Sequence, residues 1–311
     1  MPNKNYSEEY ILKDESLVSD KQVDEQNIIS KSKKNIFKPH NLLLAIMAFV
    51  NIFSIVGYST FTLNAQLLIK YNVSMELFNA AYYFSARMQI ISSFLALALF
   101  LHHQKKFKWL KELSFVFALS LLMEFLGTSY GFPFGKYEYT ELLGWKIFNK
   151  VPTLIPTSWF FMSMASYFSA IKLQEYMNLK NSFVKGAFNI IIGSTLLTAW
   201  DLTLDPAMSN LTPFWVWESK GIYFGTPMVN FGGWFVTSCL IMLGYEIFKT
   251  KGLVNHKNYT WLVLFYLVNL SLPLGLVIAS GMLMPVALSV LTYSSILTFV
   301  YVVSLINKKR V

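Results

Sequence analysis

Ala199-Trp200-Asp201-Leu202-Thr203-Leu204-Asp205-Pro206 closes an apolar run that begins near Phe183. After a short polar turn, Phe214-Trp215-Val216-Trp217-Glu218-Ser219-Lys220-Gly221-Ile222-Tyr223-Phe224-Gly225-Thr226-Pro227 leads into a second apolar run. Each run is long enough to cross a bilayer, which takes about 20 residues. Between them stand two carboxylates four residues apart and a dense set of Trp, Tyr, Phe and Gly. Acids at the end of an apolar helix are costly to keep near hydrocarbon, which makes Asp201 and Asp205 functional candidates. A plainer reading makes Asp201 a helix cap and Trp217 part of the aromatic belt at the membrane boundary.

The rest of the chain extends this pattern. Its 311 residues are 54% hydrophobic and 14% charged, whereas a soluble domain carries roughly 25% charged residues. An all-α, polytopic membrane bundle of about eight transmembrane helices is expected. The spans fall at about 41–63, 81–101, 110–126, 153–173, 183–204, 227–248, 260–280 and 283–306, with the second weakest because Arg87 and Gln89 lie within it. Residues 1–38 form a polar tail without the apolar core of a signal peptide, expected to be disordered and cytoplasmic. Residues 39–307 form the membrane domain. The lone cysteine, Cys239, reads as a small core residue.

The net charge of +9 does not point to nucleic acid, because no basic run carries interleaved aromatics. The lysines instead mark loop sidedness. Lys70, Arg87, Lys136, Lys146, Lys150 and Lys220 fall on one side, leaving twenty of the 26 basic residues on the other. That bias places both termini in the cytoplasm, with Lys31, Lys33, Lys34 and Lys38 beside the first span. It also brings Glu124, Asp201, Asp205 and the two aromatic loops, 127–139 and 214–226, to one face. A faint internal echo accompanies this: Val151-Pro152 precedes Trp159-Phe160 as Thr226-Pro227 precedes Trp234-Phe235. It hints that spans three to six form a compact pair of hairpins.

Asp201 and Asp205 share a helix face at i, i+4 spacing. Two carboxylates in a poorly hydrated pocket do not both ionise cheaply, so one keeps a proton beside an ionised partner. Such a pair can protonate a weakly basic carbon–carbon double bond, and Trp and Tyr faces can steady the resulting cation. Glu124 is the third acid candidate, with a salt bridge to Arg87 as its alternative. His40, His102, His103 and His256 all fall on the inner side, away from the acids, so a metal centre is not expected. No Gly-rich dinucleotide cradle is visible, and no cofactor is expected.

Glu124-Phe125-Leu126-Gly127-Thr128, Tyr130-Gly131, Pro133-Phe134-Gly135-Lys136-Tyr137, Asp201-Leu202, Leu204-Asp205-Pro206, Trp215-Val216-Trp217, Gly221-Ile222-Tyr223-Phe224-Gly225-Thr226-Pro227 and Asn230-Phe231 with Gly233-Trp234 occur in this order. In these blocks, spanning 124–234, the chain resembles the CruF-type carotenoid biosynthesis family, membrane hydratases that need no redox cofactor. The resemblance implies addition of water across the terminal C1′–C2′ double bond of an acyclic (ψ) carotenoid end such as γ-carotene or lycopene. It implies a bacterial inner or internal membrane, with a carotenoid and water as partners and a glycosyltransferase as a downstream one. It transfers no catalytic residue. From chemistry, Asp201, Asp205 and Glu124 are the catalytic candidates, with Trp200, Tyr130, Tyr137, Trp217, Tyr223, Asn230, Trp234 and Arg87 as substrate contacts. A membrane carotenoid cyclase would begin with the same protonation but exclude water; Thr203, Ser209, Asn210, Thr212 and Asn230 favour a wet site. A lipid or proton transporter would carry ionisable groups on both sides or at the midplane.

Overall fold

Helix signals in the sequence set the boundaries of the bundle. The computed structural model describes residues 38–308; the expected tail over 1–38, with Lys31, Lys33 and Lys34, lies outside them except for Lys38. Pro39 opens α1 (Pro39–Gly57) at a position where its missing N–H is not needed. Ser74 caps α2 (Met75–Lys105), accepting the Leu77 N–H at 3.1 Å. A short 3-10 turn then leads into α3 (Leu110–Tyr130), which Gly131 ends in the left-handed conformation. After the first aromatic loop come α4 (Leu154–Met177) and α5 (Ser182–Asp205), the latter capped by Asn181 through the Phe183 and Val184 amides. The second aromatic loop leads to α6 (Met228–Ile247), then α7 (Tyr259–Ala279) and α8 (Leu283–Lys308).

The protein is an all-α membrane-type bundle, and among the described residues six stretches are long and apolar enough to cross a bilayer. One of these, Met75–Tyr130, contains both α2 and α3. The second helix, expected over 81–101, is the longest of the described helices, because the Ser74 cap starts it early. α4 is not among the six. Its Ser, Thr and Gln side chains lower its hydropathy, yet Trp159 to Ile171 is buried without interruption. It packs against α2, α3, α5, α6, α7 and α8, so its polar groups meet protein and not lipid. The outward sides of α1 and α8 do the opposite: Phe49, Ile52, Val290 and Leu297 are exposed, as lipid contact requires.

Among the described residues two short antiparallel ladders cross the loops at one end. β1 (Tyr137–Tyr139) pairs with β4 (Trp215–Trp217) in the register Tyr137↔Trp217 and Tyr139↔Trp215. β2 (Lys146–Ile147) pairs with β3 (Val151–Pro152) just before α4. The first ladder ties the loop after α3 to the loop after α5 and lies over the ends of both helices.

Candidate active site

Alternation along a strand decides what this ladder presents. Successive side chains point to opposite faces, so Tyr137, Tyr139, Trp215 and Trp217 face inward while Glu138 and Val216 face out. The Thr140 N–H bonds to Phe214 O at 3.0 Å and the Glu218 N–H to Lys136 O at 2.9 Å. Those flanking bonds leave Tyr137↔Trp217 and Tyr139↔Trp215 as the closer, non-hydrogen-bonded pairs. Their rings meet at an angle, the first pair tilted with centroids 4.9 Å apart and the second edge-on at 6.1 Å.

Beneath this aromatic lid three carboxylates line one cavity of about 90 Å³, room for a few waters or the tip of an apolar chain. Glu124 comes from α3, Asp201 and Asp205 from one face of α5, and each is at most 3% exposed. Both Glu124 oxygens are taken: Oε2 accepts the Tyr137 hydroxyl and, at 2.7 Å, the Tyr139 hydroxyl, and Oε1 accepts the Trp159 indole N–H at 2.7 Å. Burial, with the facing Glu124 carboxylate second, pushes the Tyr137 and Tyr139 hydroxyls well above the ordinary phenol range. Both therefore remain proton donors to Glu124 at any physiological pH.

Asp205 Oδ1 accepts the Trp215 indole N–H at 2.9 Å. Asn230, in the first turn of α6, donates from Nδ2 to Asp205 Oδ2 and to Asp201 Oδ2, each at 2.8 Å. Asp201 Oδ1 is different. It is buried and has no hydrogen-bond partner.

The walls are aromatic. Trp159 of α4 and Trp234 of α6 stack at 4.1 Å, and Trp200 meets Trp234 edge-on at 6.1 Å. Trp200 is fixed by a break in α7. Pro273 lies inside that helix and has no N–H to give the carbonyl four residues back, and the freed Asn269 carbonyl accepts the Trp200 indole N–H at 3.4 Å. Gln89 and Asn269, bonded to each other at 2.9 Å, form the far wall. Among the described residues no three His, Cys, Asp or Glu side chains are placed to hold a metal ion.

A sequence model of carotenoid biosynthesis proteins matches residues 85–296, more than half of the chain and all of this cavity's lining. The chain belongs to the carotenoid biosynthesis protein family. One relative is the bisanhydrobacterioruberin hydratase of Haloarcula japonica, 28% identical over 134 residues, which is 42% of this chain and 43% of that protein. The chain thus aligns with less than half the length of that relative. No solved structure matches.

In this carotenoid biosynthesis protein the residues singled out in the sequence divide in two. Glu124, Asp201, Asp205, Trp200, Tyr137, Trp217, Asn230 and Trp234 line the cavity. Tyr223 is buried but does not line it, its hydroxyl donating to Leu202 O at 2.8 Å. Tyr130 is 75% exposed at the end of α3 and does not reach it. Arg87 does not pair with Glu124: its Nε donates to Leu142 O at 2.8 Å and its Nη2 to Glu141 O at 3.3 Å, and these loop carbonyls hold it away from the acids. Sequence reasoning missed Tyr139, Trp215 and Trp159 as acid partners. The Tyr-x-Tyr and Trp-x-Trp alternation was the available signal for the first two.

Proposed function

We propose that this protein is a carotenoid hydratase that adds water across the terminal C1′–C2′ double bond of an acyclic carotenoid end such as that of γ-carotene or lycopene. The observation that carries the reading is the unpartnered Asp201 Oδ1, a buried carboxyl oxygen in an aromatic-walled cavity beside two further carboxylates. Family membership and a relative named as a hydratase support the same chemistry.

In this mechanism Asp201 carries its proton on Oδ1 and delivers it to C2′, leaving a tertiary cation at C1′. The faces of Trp200, Trp234 and Trp159 steady that cation, and Glu124, held by three donors, supplies fixed negative charge. Asp205 takes a proton from the water that attacks C1′. The product is a tertiary alcohol, a suitable acceptor for a glycosyltransferase. The basic-loop bias supports a topology with both termini in the cytoplasm and the site near the opposite interface of a bacterial inner or internal membrane.

The test is expression in bacteria that accumulate lycopene or γ-carotene, with mass analysis of the pigments. A gain of one water is expected. An isomer of unchanged mass would point to cyclisation, and unchanged pigment would contradict both.

A further inference from the structure

Asp205 is approached by more donors than it binds. Its oxygens accept Trp215 Nε1 and Asn230 Nδ2 in good geometry. The side chains of Trp217 and Thr226 also lie beside this carboxylate. Yet Trp217 Nε1 and Thr226 Oγ1 are buried atoms without a hydrogen-bond partner, and Thr226 is fully buried. Buried polar groups are ordinarily paired, because an orphan forfeits its hydration.

Neither atom owes its position to Asp205. Trp217 is set by the β1–β4 register. Thr226 is set by a turn in which its N–H bonds to Tyr223 O and the Gly221 N–H to Gly225 O, each at 2.9 Å. That turn is tight: a Cβ on Gly221 would come within 2.0 Å of Thr226 O. Three elements thus bring an indole donor, a hydroxyl and a carboxylate together at the outer end of the bundle. This donor and acceptor set suits one small polar molecule making two to four hydrogen bonds, which describes a water.

We propose that Trp217 and Thr226 are positioning residues that hold the reacting water against Asp205, and so decide whether the cation is captured as an alcohol or discharged as an alkene. The proposal rests on the hydratase reading. The water oxygen forms the bond to C1′ and one of its protons passes to Asp205. That proton replaces the one Asp201 gave to C2′, so the acid pair as a whole is unchanged and one water is consumed. When the water is not held, the cation instead loses a proton from a neighbouring carbon, giving back the carotene or an isomer of equal mass.

Membranes containing the full chain, Trp217→Phe or Thr226→Val are incubated with lycopene in heavy water, and mass spectrometry reads two products. Alcohol reports capture; deuterium in recovered carotene reports protonation followed by proton loss. Each variant is expected to lower the ratio of alcohol to deuterated carotene by about tenfold or more, and Thr226→Ser to restore it. The ratio does not depend on how much protein folds. Unchanged ratios in both variants, with the parent chain still making alcohol, overturn the water site alone. A parent chain that makes no alcohol overturns the hydratase reading and the water site with it.

Discussion

Asp201 and Glu124 are both buried carboxyl groups, but their partners differ, and amidation should affect them differently. Asp201 has one donor and one free oxygen. Asp201→Asn keeps the shape and removes the transferable proton, so turnover per folded protein should fall by about a hundredfold or more, with little change in melting temperature. Glu124 accepts three bonds. Glu124→Gln turns one acceptor oxygen into an NH₂ facing other donors, and leaving a buried donor unmet costs about 1–3 kcal/mol. That variant should melt lower in a detergent thermal scan as well as lose activity. The acids themselves were legible in the sequence, because ionisable groups at the end of an apolar run are conspicuous. Tyr139 and Trp215 were not, since a three-residue alternation is short and its meaning depends on which distant strand it pairs with.

The hairpin α3–β1–α4 and the hairpin α5–β4–α6 meet through their loops and their tryptophans. β1 of the first pairs antiparallel with β4 of the second, and Trp159 and Trp234 stack on each other. The echo of Pro and Trp spacing in the sequence hints at a pair of hairpins. That the matching tryptophans would form one wall together was not readable from spacing. The close approach of the halves depends on Gly233: an added Cβ would meet Pro133 O at 2.6 Å and Phe134 Cδ1 at 2.7 Å. At Gly232 an added Cβ meets nothing within 4 Å. Gly233→Ala should therefore displace the first aromatic loop and cut activity by about tenfold or more, whereas Gly232→Ala should keep it near the parent level. Pigment assays of the two variants at matched protein levels check this contrast.

Across the whole molecule, hydropathy located the described helices well, but it describes how a helix meets lipid and says little about a helix that meets only protein. α4 shows this: enclosed by six neighbouring helices, it tolerates a serine-rich sequence less apolar than a lipid-facing helix needs. The charge bias makes a separate prediction about sidedness. In a Cys239→Ala background, Lys220→Cys and Lys251→Cys should react with an impermeant thiol reagent from opposite sides of the membrane, Lys220→Cys from outside intact cells. Labelling of both from the same side would reverse the proposed placement of the site. The central claim, proton transfer from Asp201 followed by capture of water, is tested most directly by supplying lycopene in water labelled with heavy oxygen. The account predicts a tertiary alcohol that carries the label with the parent chain and none with Asp201→Asn. An unlabelled hydroxyl, or full labelled product from Asp201→Asn, would contradict it.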